Sequence, residues 1–143
     1  MSPPIVADTG GLLRALASTR DGKPSFPEYE KILTSASLVI VPGLVLAEVD
    51  YFLRANRAAM RKLVAEIFDP ATRYDYELPL PSDIVRALEI DARFPTLDLG
   101  LVDGTVVAVA ERRHVYRVLT TDRRDLAAIR VGPRLTRMLE LLP

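Results

Sequence analysis

The sequence has no cysteine and a single histidine, His114. Disulfides, thiolate zinc sites, iron–sulfur clusters and thiol nucleophiles are therefore excluded. One imidazole cannot build a histidine metal site, and a Ser–His–Asp enzyme would have to be built on that residue. No apolar run approaches the roughly 20 residues that span a bilayer. The opening Met-Ser-Pro-Pro lacks the basic region and apolar core of a secretory signal. These absences lead one to expect a cytoplasmic protein with no membrane association, and any metal it holds must be held by oxygen. Lysine is scarce as well: Lys23, Lys31 and Lys62 are the only three, all in the first half.

What is present is a chain of 143 residues, 49% apolar and 27% charged, which predicts one compact domain over residues 1–143. Net charge is zero but unevenly spread. Residues 1–103 carry 11 basic and 15 acidic side chains, whereas residues 104–143 carry 8 arginines and 4 acids. That asymmetry fits an acidic site and a basic binding surface on one molecule, and it also fits ordinary solvated faces.

Short apolar runs alternate with helical periodicity. Ile5–Ala7 reads as a buried strand, followed by a tight turn and a helix carrying Leu12, Leu13 and Leu16. Pro27 to Ser35 reads as a second helix and Leu38–Val41 as a second strand. Pro42 then stands where a helix with Val45, Leu46, Val49, Phe52 and Leu53 begins. A further helix carries Met60, Leu63, Val64 and Ile67. Tyr74–Leu80 is a predicted third strand, and Ser82-Asp83 a predicted cap for the next helix. Gly100 to Arg113 reads as a Val/Ala-rich helix and Val115–Leu119 as a fourth strand. Residues 135–142 fit a helix by propensity or an edge strand by their bounding proline. The alternation predicts an α/β fold with a mainly parallel sheet of four or five strands and helices on both faces.

Parallel sheets place their ligands beyond the carboxyl ends of the strands. Asp8 directly follows the first strand and Asp122 the fourth. Asp103 lies near the start of the Val/Ala-rich helix, and Glu48 is embedded in Leu46-Ala47-Glu48-Val49. Converging carboxylates must either hold protons or bind a hard divalent cation. With oxygen the only available donor, the cation reading points to Mg²⁺ or Mn²⁺. Such an ion neutralises a phosphodiester and activates water for in-line attack. Each acid could instead simply cap a helix or pair with an arginine.

Four segments carry a resemblance. Asp8-Thr9-Gly10-Gly11-Leu12-Leu13, Pro42-Gly43-Leu44-Val45-Leu46-Ala47-Glu48-Val49, Leu97 to Thr105 and Leu119 to Leu126 resemble, in order and spacing, the four motifs of PIN-domain nucleases, and most of all the VapC toxins. The resemblance runs from Ile5 to about residue 130. It implies a PIN-like fold and endoribonuclease activity on structured RNA, tRNA or ribosomal RNA, leading to growth arrest. Asp8, Glu48, Asp103 and Asp122 match the family's catalytic, metal-holding acids, with Asp8 and Asp103 the most direct ligands of Mg²⁺ or Mn²⁺. Asp98 matches a further acid acting behind them, and Thr9 and Thr120 match polar positions that orient carboxylates. A VapB antitoxin and a homodimer are the implied partners. Gly10 and Gly104 depart mildly from the family's usual Ser and Ala.

Arg123 and Arg124, next to Asp122, are candidate contacts for the RNA backbone, or partners of acids such as Asp125. His114 follows Arg112-Arg113 and precedes a strand, which places it at a helix–strand turn, and metal-dependent hydrolysis needs no imidazole. Tyr51, Phe52 and Leu53 read as core, or in part as a surface for the dimer or the antitoxin. Asp50 points away from Glu48, because residues two apart on a helix do not share a face. Two other readings remain: a PIN nuclease of RNA maturation outside any toxin system, and a non-enzymatic Mg²⁺-binding module of receiver type. The receiver would need a lysine after a late strand, which this chain lacks.

Overall fold

Strands β1 (Ile5–Ala7) and β2 (Val39–Pro42) have every residue buried, as unbroken apolar runs require of strands covered on both faces. In the computed structural model, which describes residues 1–143, they lie side by side in a five-stranded parallel sheet. The remaining strands are β3 (Tyr74–Glu77), β4 (Arg117–Leu119) and β7 (Glu140–Leu142), and the order across the sheet is β3-β2-β1-β4-β7. Helices α1 (Thr9–Leu16) and α2 (Pro27–Ser35) connect β1 to β2, and α3 (Gly43–Phe52) and α4 (Arg57–Ile67) connect β2 to β3. The chain then doubles back through α5 (Pro81–Arg93) and α6 (Leu101–Arg113) to β4, on the other side of β1. Crossovers that run in opposite directions along a parallel sheet cover opposite faces, which sandwiches β1. After β4 come α7 (Arg123–Ala128) and an antiparallel ribbon of β5 (Arg130–Val131) and β6 (Arg137–Met138).

A single cluster of 27 buried apolar residues runs from Ile5 to Leu139. Its axis is α6, in which Gly104 through Ala110 are all buried. A helix buried all round needs small and branched apolar residues on every face rather than a stripe. Gly104 explains itself here: a Cβ would lie 2.7 Å from the Cβ of Ala87 on α5, so the glycine lets the two helices touch. No helix is long and apolar enough to cross a membrane.

Several boundaries differ from the sequence expectation, each for a local reason. The third strand stops at Glu77, not Leu80, because its partner β2 ends at Pro42 in register with Glu77 and Pro79 and Pro81 follow. Ser82 is not the cap of α5. Pro81 takes the first helical position, and Asp83 reaches back to accept a hydrogen bond from the Leu80 N–H at 3.1 Å. The fourth strand begins at Arg117 because His114, in the left-handed conformation (φ 52°), ends α6, while the Val115 N–H closes that helix by donating to the Ala110 carbonyl at 3.0 Å. Residues 135–142 form strands, not a helix: β7 pairs with the open side of β4, Leu119 opposite Leu142. Tyr51 and Phe52 are not core. They are 57% and 59% exposed, because Val45 and Val49 form the buried face of α3.

Helix α1 starts hard against the end of β4. A Cβ on Gly11 would collide with the Leu119 backbone carbonyl, whereas one on Gly10 would meet only the Thr121 side chain, which can rotate away. Gly11→Ala is therefore expected to destabilise the chain by about 3 kcal/mol and Gly10→Ala by distinctly less. Urea denaturation of the two variants measures the difference.

Candidate active site

The strand order reverses at β1, so the carboxyl ends of β1 and β4 part to opposite crossovers and leave a crevice between them. Asp8 stands at one lip and Asp122 at the other, each the N-cap of the helix that follows. Asp103 enters from the first turn of α6 and Glu48 from the middle of α3. All four line one cavity of about 380 Å³, with Thr9, Gly10, Leu13, Arg14, Phe52 and Thr121. Separated by up to 114 positions in sequence, they are neighbours in space.

Asp8 is only 5% exposed and is held rigidly. Its Oδ1 accepts the Thr9 N–H at 2.8 Å and its Oδ2 accepts the Thr120 hydroxyl at 2.7 Å. Thr120 is fully buried, and its own oxygen accepts the Asp122 N–H at 2.9 Å. One threonine thus fixes both acids at the two lips. The Asp122 carboxylate in turn accepts the Asp125 N–H at 3.2 Å. The Thr9 hydroxyl is buried without a hydrogen-bond partner, leaving donor capacity beside Asp8. Glu48 makes no ion pair, although it sits among apolar neighbours.

The four charges feel one another. Burial pushes Asp8 above the usual carboxylate range; hydrogen bonds from Thr120 and Thr9 offset part of the rise, and the Glu48 and Asp122 charges add to it. Asp103 is pushed up to about 6, first by burial and then by the charges of Asp8, Asp122 and Glu48. As they stand, no three of these side chains close into a set that could grip an ion. The donor set itself suits a hard divalent cation: oxygen throughout, four negative charges, one carboxylate already oriented. A cation there would relieve both the repulsion and the burial penalty.

Asp98 does not join the group. It is exposed on the loop before α6 and lines no part of the cavity. Asp50 is elsewhere too, bound to Arg57 at 2.6 Å. Much of the C-terminal positive charge is structural. Arg112 forks onto the buried Asp83 with two 2.9 Å bonds, Arg112 and Arg113 share Glu77, and Arg113 also reaches Asp75. Burial would raise Asp83, but Arg112 and the Leu80 N–H hold it below the usual carboxylate range. Arg86 grips Glu111, and Arg117 faces Glu140. Arg123 and Arg124 form no ion pair, with Asp125 or any other acid, and are exposed beside Asp122. Arg14 and Phe52 were missed from the sequence, although each lies one helical turn beyond a residue of the site, Gly10 and Glu48 respectively.

The PIN domain family model matches residues 5–131. The chain belongs to the PIN domain family. Among curated proteins, ribonuclease VapC26 of Mycobacterium tuberculosis is 26% identical over 132 residues, covering 88% of this chain and 92% of its own length. The crystal structure of M. tuberculosis VapC20, a toxin that cleaves the sarcin–ricin loop, superposes with a TM-score of 0.72 at 21% identity, covering 97% of this chain and 99% of that one. The PIN fold, with its five-stranded parallel sheet, is as the sequence resemblance implies. Membership in the PIN domain family also carries an expectation of divalent-metal dependence, which the oxygen-only cavity suits.

The raised pKa of Asp103 has a measurable sign. Its folded value lies above its unfolded one, so stability is lost as pH rises from about 4 to about 6, and the full cost is present above that. In chelator, Asp103→Asn is expected to melt at a higher temperature than the parent at about pH 7.5, and the gain should shrink as pH falls below about 6 and vanish only near the unfolded value of about 4. Thermal melts of both chains across that range check it.

Proposed function

We propose that this chain is the toxin of a VapC-type toxin–antitoxin pair, an endoribonuclease that cuts structured RNA, tRNA or ribosomal RNA, and so inhibits translation and growth. The observation that carries the reading is the meeting of Asp8, Glu48, Asp103 and Asp122 around one cavity at the strand-order reversal of a PIN fold. The two mycobacterial relatives support the substrate class, one being a ribonuclease and the other a toxin acting on the sarcin–ricin loop.

Mg²⁺ or Mn²⁺ held by these carboxylates would supply neutralising charge at the scissile phosphodiester and activate a water. The chain's own residues do the rest. Asp8 and Asp103 are the most direct ligands; Thr120 holds Asp8 in one orientation and, through its bond from the Asp122 N–H, sets the distance between the lips. Thr9 contributes its N–H to Asp8 and leaves a hydroxyl free beside it. Arg123 and Arg124 seat the substrate backbone, their charge offsetting the repulsion between phosphates and the acidic cavity. A VapB-like antitoxin is the partner. A cleft of about 460 Å³ adjoins the cavity at Leu13 and is lined by Leu16, Leu53 and Leu63, which suits an amphipathic antitoxin segment. The active assembly is a homodimer of a single-domain chain.

Asp8→Asn is expected to lower RNA cleavage by more than about 100-fold while the melting temperature in chelator holds or rises, since charge is removed and volume is not. Chelation should stop cleavage by the parent chain, and Mg²⁺ or Mn²⁺ should restore it. An Asp8→Asn chain that cuts RNA at the parent's rate would falsify the assignment. Separately, replacing Arg123 and Arg124 by Ala should lower the slope of log affinity against log salt by about 1 to 2; binding measured at several salt concentrations reads it directly.

A further inference from the structure

Two residues on the rim of the acidic cavity, Phe52 and Arg14, are not among the acids that would hold a metal. Phe52 is 59% exposed although it ends a well-packed helix. Its ring meets that of Tyr51 edge-on at 5.5 Å, and Tyr51 in turn is covered by the Arg54 guanidinium at 4.1 Å from the ring centre. A lone exposed phenyl ring is unremarkable in itself. This one lies four residues beyond Glu48, on the same face of α3, and lines the same cavity.

Arg14 faces the cavity from α1. It is the one cationic residue in a lining that holds four acids, yet it pairs with none of them. Its guanidinium instead rests over the Phe26 ring at 4.8 Å and near Tyr29 at 5.5 Å, with Nη1 at 3.5 Å from the Tyr29 hydroxyl. Aromatic faces hold a guanidinium without consuming its in-plane N–H groups. Arg14 is thus kept off the carboxylates with donors to spare.

We propose that Phe52 and Arg14 together form the nucleotide-positioning subsite of this cavity: an unpaired base flanking the scissile bond stacks on the Phe52 ring, and a neighbouring phosphate docks on Arg14. The inference rests on the ribonuclease reading and adds to it the state of the substrate at the cut. A ring that must meet a base face requires a nucleotide in a loop or single strand, because bases within an A-form duplex have both faces stacked. Stacking accepts any base, so Phe52 selects unpaired structure rather than sequence. Arg14 also gives the incoming strand a point of positive charge inside a field that otherwise repels it.

The test measures binding of a short fluorescein-labelled single-stranded RNA of mixed sequence, by anisotropy in EDTA, beside the same sequence as a full duplex. Phe52→Ala should weaken single-strand binding by roughly 5- to 150-fold with the salt slope unchanged, and Phe52→Trp should retain binding. Arg14→Gln should lower the salt slope by about 0.7, one phosphate's share on a single strand. Duplex binding should respond to Arg14→Gln and not to Phe52→Ala. Thermal melts confirm that each variant is folded, and Phe52→Trp guards against a merely structural loss. If Phe52→Ala binds the single strand as the parent does, the ring serves a protein contact instead and the proposal is overturned. Equal losses on single strand and duplex overturn it too. A parent chain that binds and cleaves RNA while Phe52→Ala and Arg14→Gln match it removes only the subsite; one that neither binds nor cleaves removes the ribonuclease reading itself.

Discussion

The hydrogen bond from the Thr120 hydroxyl to Asp8 spans 112 residues of chain and crosses the line where the sheet changes direction. It ties the end of β1 to the end of β4 at the point where successive crossovers diverge to opposite faces. A buried carboxylate in that position is costly unless its lone pairs are met, so the fold and the site impose the same demand. The sheet needs β1 and β4 adjacent, and Asp8 needs the donors that adjacency brings. Gly11 serves the same junction, since only a residue without a side chain lets α1 begin against the Leu119 carbonyl.

The order of elements was legible because the strands at the centre of a parallel sheet must be apolar on both faces, whereas most of the helices between them carry an apolar stripe at helical spacing, α6 being the exception. Ile5–Ala7 and Leu38–Val41 announce themselves in that way, the second strand then lying one residue further on, at Val39–Pro42. Boundaries were less legible, because they depend on pairings that sequence does not display. Glu77 ends a strand because Pro42 ends its neighbour, and Val115 closes a helix because His114 adopts a left-handed turn. Residues 135–142 carry ambiguous propensity; what makes them strands is the free side of β4.

The acidic quartet could be read from the sequence because a carboxylate after a buried strand or within an apolar helix has few inexpensive uses. Phe52 could not be read in the same way. Its helical spacing from Val45 and Val49 looks like core, and only the rotation of α3 against the sheet turns it outwards. The arginines were misleading for a related reason. Arg112 and Arg113 add to the charge count of the C-terminal part, yet Asp83, Glu77 and Asp75 neutralise them at the far end of α6. Net charge along a sequence overstates surface charge wherever ion pairs join distant segments.

Helix α6, enclosed along seven consecutive residues, has no room to slide along its axis or to turn about it. Asp103 rides on the open end of that rod, and Asp8 is clamped by two donors, so one wall of the cavity is stiff. Glu48 has an extra methylene and no partner. Whatever adjustment the cavity makes therefore falls to the α3 side, where Glu48 is free to swing while Asp8 and Asp103 hold still.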